Sequence, residues 1–357
     1  GNVYKLVEDI PAPGYTLAAD VYLKVDSNDV LWQSADGSTG WTALKNNALA
    51  VVDGETDFAF GKVGDNSKPL TGATFRLTPA EGSAFADGST SLDLLSGAET
   101  ANLTGKVIAG NSYILTEIVI PAGYTAIDPV TVTVSADGTK LTFSPGPGSA
   151  EVPANVAVSA DGATVTVTDD PVSIVITKSD RNTGQQLANH KECIFQITPQ
   201  GETTFADGST TPLTGYDDQV TAKLRGQAIV TQVTKDASGN YQIVGTSHIY
   251  VIQEIQEPGG YQIEPEAVKF IVDQYGDVHV LNGEGTIVTS PDGTSSLSFS
   301  DPKIDVSIQK TDESGNALAG AAFELDGTFV DGAGTTTTPY TFTSTTSPYQ
   351  LDGVLIA

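Results

Sequence analysis

Tyr113-Ile114-Leu115-Thr116-Glu117, followed by Pro121-Ala122-Gly123-Tyr124, decides the fold. Successive side chains of a strand point to opposite faces, so Tyr113, Leu115 and Glu117 share one face, with Ile114 and Thr116 on the other. The box recurs as Tyr4-Lys5-Leu6-Val7-Glu8 before Pro13-Gly14-Tyr15, and as Tyr250-Val251-Ile252-Gln253-Glu254 before Pro258-Gly259-Gly260-Tyr261. A second motif alternates with it: a Lys ends an apolar strand, a turn follows, and then Leu-x-Gly-Ala-x-Phe. It stands as Lys62 with Leu70-Thr71-Gly72-Ala73-Thr74-Phe75, and as Lys310 with Leu318-Ala319-Gly320-Ala321-Ala322-Phe323; Lys178 with Leu187 and Phe195 is a longer copy. A third, Phe-Ala-Asp-Gly-Ser-Thr, occupies 85–90 and 205–210. Repetition in fixed order marks one structural unit used several times.

Outward from these motifs, the chain divides into a second half-domain at 1–56, complete domains at 57–171 and 172–302, and a first half-domain at 303–357. An insertion near 230–247 enlarges the third segment. Leu351-Asp352-Gly353-Val354-Leu355-Ile356-Ala357 followed by Gly1-Asn2-Val3-Tyr4 matches the unbroken Leu103–Tyr113. Two expectations arise: a tandem array with this chain as its period, or completion of each split domain by a neighbouring subunit. Asp-Gly pairs at Asp36-Gly37, Asp137-Gly138, Asp161-Gly162 and Asp292-Gly293 read as hairpin tips, tolerating positive φ in a two-residue loop. The expected fold class is all-β, as tandem β-sandwich domains.

Composition agrees. The chain has 357 residues, 37 of them Gly, and Ser, Thr, Val, Asp and Ala are abundant. Its net charge of −27 excludes nucleic acid and anionic membrane as partners, since both require basic surface. No apolar run is long enough to span a bilayer. With one Cys there is no intramolecular disulfide framework, and the lack of Met reads as a mature or excised piece.

Parity places ionisable groups among apolar ones. Lys62 is in phase with Phe58 and Phe60, Lys178 with Ile174 and Ile176, and Lys310 with Val306 and Ile308. Glu8, Glu117 and Glu254 are in phase with their boxes. Asp53 follows Leu49 and Val51, Asp169 follows Val165 and Val167, and Asp301 follows Leu297 and Phe299. Each Lys could instead sit at a strand end and reach solvent along its aliphatic stem. Three strands with the same parity favour a buried constellation.

The combined motifs resemble the collagen-adhesin B-type (Cna-B) family, the prealbumin-like domains of Gram-positive surface adhesins and pilins. The resemblance implies a self-formed isopeptide bond between the first-strand Lys and a last-strand Asn or Asp, promoted by the Glu. Here the pairs would be Lys62–Asp169, Lys178–Asp301 and Lys310–Asp53, with Glu117, Glu254 and Glu8 assisting. All three last-strand residues are Asp where Asn is common in the family, so the leaving group is water. Asp170 is the fallback partner for Lys62. Apolar surroundings lower an amine's pKa and raise a carboxyl's, giving a neutral nucleophile beside a proton-holding acid. The reaction occurs once per domain, so this is no turnover enzyme.

No cofactor or metal pattern is present. His190, His248 and His279 share no ligand spacing, and solvated positions are expected for them. The Asp26–Asp29 cluster reads as a loop tip. Cys193 takes the slot of Ala73 and Ala321, a small core position. Trp32 and Trp41 flank the Asp36-Gly37 turn and are expected to pack across the hairpin. The expectation is a structural repeat of an extracellular stalk, fibre or pilus on a Gram-positive cell, its partner a neighbouring repeat or subunit arranged head to tail. The alternative is an adhesin region recognising a host protein or glycan, with the 230–247 insertion as its candidate surface.

Overall fold

Strict alternation of buried and half-buried residues along Ala59–Gly64, Ser112–Val119 and Thr164–Asp169 builds the central strands of a β-sandwich. The computed structural model describes residues 2–187, 193–263, 266–289, 294–330 and 335–356. These form two units, Gly1–Pro121 with Ala126–Asp170, and Ala122–Thr125 with Pro171–Ala357.

In the first unit, one sheet of the sandwich orders Leu141–Pro145, Val130–Val134, Ser112–Val119, Thr74–Pro79 and Leu92–Leu95. The facing sheet orders Val156–Val158, Thr164–Asp169, Ala59–Gly64 and Ala101–Asn102. Phe58, Phe60, Phe75, Leu115, Val132, Val165 and Val167 fill the space between them. The first and last strands lie side by side and parallel, Val167 opposite Lys62, although the rest of the domain separates them in sequence. Residues 1–56 contribute a separate antiparallel sheet of Val3–Leu6, Val21–Val25, Leu31–Ser34 and Thr42–Ala43. The expected last strand through Leu49, Val51 and Asp53 does not form there; these residues belong to no strand. A single strand without a neighbour has no ladder to stabilise it.

In the second unit, Val175–Asp180 again pairs in parallel with Ser296–Asp301, facing a six-stranded sheet that contains Ile194–Pro199 and Tyr250–Gln256. One departure from the all-strand expectation is a helix, Asp217–Leu224, whose Val220 and Leu224 are buried. Its Thr221 Oγ1 accepts the Ile176 N–H at 3.0 Å, on the edge that Ala101–Asn102 pairs in the first unit. The insertion forms a hairpin, Val233–Lys235 with Tyr241–Ile243, packed near Ile271 and Leu281. Residues 303–357 supply short pairs: Ser307–Ile308 with Tyr349–Gln350, Ala322–Leu325 with Tyr340–Thr343, and Phe329–Val330 with Thr335–Thr336.

The motifs acquire physical meaning here. Tyr113 Oη donates to the Ala84 carbonyl at 2.8 Å and accepts the Ile108 N–H at 2.9 Å, with its ring stacked on Phe85. Tyr250 repeats this with Thr204, Ile229 and Phe205. So the Tyr of one motif is locked onto the Phe of another. The Gly of each Pro-containing box is required twice over. Gly123 has φ +84°, and a Cβ there would stand 2.2 Å from the Gly226 carbonyl oxygen; Gly260, at φ +86°, would meet that of Gly353 at 2.4 Å. Around these contacts Val172 N–H donates to the Gly123 carbonyl and Gly226 N–H to the Val172 carbonyl. Ile304 does the same between Gly260 and Gly353.

The Asp-Gly turns differ from the two-residue loop expected. At Gly37, Gly138 and Gly162 only the glycine has positive φ, because the Asp carboxylate accepts local donors instead: Asp137 from Ser135 Oγ and Thr139 N–H, for example. Asp292-Gly293 lies outside the described residues.

Candidate functional site

Two constellations are assembled from strands far apart in sequence. In the first unit Lys62 Nζ lies 3.2 Å from Glu117 Oε1 and in hydrogen-bonding contact with Asp169 Oδ1. In the second, Lys178 Nζ lies 2.5 Å from Glu254 Oε2 and 2.6 Å from Asp301 Oδ1. All six side chains are essentially excluded from solvent. Parallel pairing puts Lys62 two residues before the level of Asp169 on the neighbouring strand, so the long amine reaches forward along the inner face to the shorter acid. Asp170 is exposed, so Asp169 is the acid that faces Lys62.

The facing sheet brings the Glu. Opposite Glu117 the ladder slips one residue, Phe75 pairing with Glu117 while Thr74 pairs with Val119. The same slip occurs at Phe195 and Glu254. A bulge re-aims a side chain, and here both bulges sit where the carboxyl enters the core. Phe75 places its ring 4.6 Å from Lys62 Nζ, and Phe195 its ring 5.9 Å from Lys178 Nζ, leaving little room for water.

Electrostatics follow from that enclosure. Burial pushes the Glu117 carboxyl up to about 7, partly opposed by the Lys62 charge, and pushes Asp169 up to about 6. Glu254 is raised for the same reason. Removing an ion from water costs several kcal/mol, roughly, unless it is well paired. Neither Asp301 oxygen and only one of Asp169's receives a well-directed hydrogen bond. Proton transfer from ammonium to carboxylate would discharge both groups and leave a neutral amine against a carboxylic acid.

Sequence reasoning missed two supporting contacts. Ile127 N–H donates to Glu117 Oε2 at 3.4 Å, and Cys193 Sγ–H donates to Glu254 Oε1 at 2.8 Å. Cys193 is a buried core residue, as its alignment with Ala73 indicates, and burial raises its thiol pKa, but it also touches the site. Only the bulge-generated direction of Glu254 reveals that second role.

The structure does not bring Lys310, Glu8 and Asp53 together within one unit. Lys310 Nζ donates to the Thr311 carbonyl, Glu8 Oε2 accepts the Ala18 N–H at 2.8 Å, and Asp53 Oδ1 is buried without a hydrogen-bond partner.

His279 corrects the expectation of a solvated residue. It is fully buried, its Nε2 2.8 Å from Asp273 Oδ2, because the insertion hairpin covers it with Tyr241. His248 is half-buried and His190 lies outside the described residues. Asp26 is engaged by the N–H groups of Asn28, Val30 and the Trp32 ring, while Trp41 packs under Lys24. The two Trp rings thus take different partners. A cleft of about 630 Å³ opens beside Glu254 and Asp301, lined also by Arg181, Lys269 and Phe299. Among the described residues no helix is long and apolar enough to cross a membrane.

The SpaA prealbumin-like fold domain matches the chain twice, at residues 56–146 and 172–286. The chain belongs to the SpaA prealbumin-like domain family. Its two matched segments are tandem copies, and each begins just before a triad Lys. Among solved structures, the SpaA-type chain is similar to the pilus adhesin SpaC from Lactobacillus rhamnosus GG, at 14% identity and TM-score 0.37. That match covers 94% of this chain and 38% of SpaC, well under two thirds of the latter. The Bacillus anthracis TIE protein matches at 17% identity and TM-score 0.30, covering 96% and 54%. The shaft pilin SpaA of L. rhamnosus GG matches at 16% and 0.22, covering 70% and 98%. No curated protein sequence matches.

Proposed function

We propose that this SpaA-type chain is a load-bearing structural segment of a Gram-positive surface fibre or pilus, each complete domain locked by one self-formed Lys–Asp isopeptide bond. The observation that carries the reading is the pair of buried Lys–Glu–Asp triads at equivalent positions of two tandem domains. In each, the amine lone pair attacks the Asp Cγ, an N–C bond forms, and a C–O bond breaks. The protonated Glu polarises the carboxyl, donates to the departing hydroxyl and takes a proton from nitrogen, so water leaves and Glu is restored. Holding the reactants in contact supplies the large effective concentration of an intramolecular reaction. The bond would join first to last strand, so a pull between them would load a covalent link in place of a hydrogen-bond ladder.

Intact-mass spectrometry tests this. The purified chain should weigh two waters less than its sequence requires, from Lys62–Asp169 and Lys178–Asp301. Glu117→Ala and Glu254→Ala should each restore one. An unmodified mass would sink the proposal.

A further inference from the structure

The two complete domains differ at one strand position. In the first, Val156–Val158 pairs antiparallel with Thr164–Asp169, on the edge away from Ala59–Gly64, with Ala157 opposite Thr166. In the second, the corresponding connection is used on the other sheet, where Ile287–Thr289 pairs back onto Val278–Leu281. Among the described residues, Ser296–Asp301 therefore has Val175–Asp180 on one edge and no strand on the other. This domain has its own first and last strands paired, so the open edge is a property of the domain itself.

Parity gives that edge its chemistry. Val175 and Arg181 N–H donate to the Ser295 and Asp301 carbonyls, so odd-numbered residues aim their backbone groups at Val175–Asp180. Ser296, Ser298 and Ser300 aim theirs outward, as Thr164, Thr166 and Thr168 do toward Val156–Val158. Thr168 N–H donates to the Asn155 carbonyl at 2.9 Å, and Asn155 Nδ2 donates to the Thr168 carbonyl at 2.8 Å. At the corresponding Ser300 carbonyl the donor is the Arg181 guanidinium, at 2.9 Å. A row of outward N–H and C=O groups is a template for one more strand.

Behind the edge there is room for side chains. In the first domain Val156 belongs to the core between the sheets, and Val158 packs against it. Val167, opposite Val156, is fully buried. Its counterpart Phe299 is half-buried and lines the cleft of about 630 Å³ together with Val268, Val280 and Ser298. Ligand pockets occupy roughly 300–1,000 Å³. Of the acids in the lining, Glu254 and Asp301 are paired with Lys178, which leaves Glu266 against Arg181 and Lys269. With Arg181 serving the carbonyl that Asn155 serves in the first domain, this end of the slot suits an acid in place of an amide.

We propose that this edge is a docking site for an extended segment of a partner protein that reads acid, apolar, any residue, apolar, and that adds to the sheet antiparallel to Ser296–Asp301. Its acid meets Arg181, and its two apolar side chains enter the cleft opposite Phe299 and Leu297. The residue between them exchanges backbone hydrogen bonds with Ser298. Main-chain pairing supplies the affinity, while the cleft and Arg181 supply the selectivity.

The first domain provides the probe: residues 151–159, made as a fluorescent peptide with Asn155→Asp. Anisotropy titration against the 357-residue chain should show saturable binding at one site per chain. Ser298→Pro should weaken it about tenfold, because it removes an outward N–H and leaves the ladder to Val175–Asp180 in place. N-methylation of Ala157 in the peptide should weaken it equally, with no change to the protein. The peptide that keeps Asn155 should bind about tenfold less tightly, and Arg181→Gln should erase that difference. The proposal fails if nothing saturates by about 1 mM, if N-methylation leaves binding unchanged, or if the two peptides bind alike. Sedimentation of the chain alone as a dimer that Ser298→Pro dissolves would also overturn it, because two copies would then pair edge to edge.

Discussion

Lys62 and Lys178 are the residues on which the mechanics would turn, and their acids report on the cost of burying them. With Lys62→Ala, Glu117 and Asp169 would remain enclosed without a cation. Both carboxyls already titrate above their ordinary range in the fold, at about 7 and about 6, because burial disfavours the charged form. A folded-state pKa above the unfolded one means that the fold binds protons more tightly than the unfolded chain. That contribution is fully present below the unfolded pKa and is lost as pH rises through the folded pKa. The Lys62→Ala domain should therefore melt lower at pH 8 than at pH 5, by at least ~5 °C, given that 1 kcal/mol shifts a domain of this size by about 4–8 °C. Differential scanning calorimetry of that variant at the two pH values checks it; equal or reversed melting temperatures would contradict the burial argument.

Elements matter through their junctions. Each Pro-x-Gly-Tyr-type box follows a strand and feeds a glycine against the carbonyl of another glycine, with flanking backbone hydrogen bonds through Thr56, Val172 or Ile304. Gly260→Ala places a Cβ 2.4 Å from the Gly353 carbonyl oxygen in a left-handed backbone conformation. Such strain costs about 1–3 kcal/mol. The expected result is several-fold faster proteolysis around Pro302, with the water loss from Lys178 and Asp301 unchanged in the intact mass. Unchanged proteolysis would mean that the contact carries no structural load. The helix Asp217–Leu224 illustrates another point at this scale. Its Thr221 serves an edge that a strand serves in the first unit, so the same edge is satisfied by a side-chain hydroxyl in place of a strand backbone.

For the whole molecule, the prediction concerns force. If each complete domain is closed by a Lys–Asp bond, single-molecule stretching should show no unfolding extension from either. Lys178→Ala should add one extension event of a size set by residues 172–302, and the first complete domain should stay silent. Identical traces for the two proteins would remove cross-linking as the basis of the function.

The sequence by itself determined much of this protein, because period-two alternation fixes which residues share a face and repetition fixes which residues correspond. Lys62 with Phe60, Glu117 with Leu115 and Asp169 with Val167 were legible as inward groups on those grounds alone. So were the tandem β-domains and the slot of Cys193. Tertiary structure decided what depends on neighbours distant along the chain. The bulges that turn Glu117 and Glu254 into the core arise only when two strands meet, and no local pattern encodes a slip between them. His279 alternates like a surface residue, yet the insertion hairpin covers it and Asp273 binds it. The helix at Asp217–Leu224 is too short for its period to stand out, and it is held by packing against Val175–Asp180. Residues 49–53 carry the alternation of a strand and form none in this structure, because a strand exists only through the ladder a partner provides.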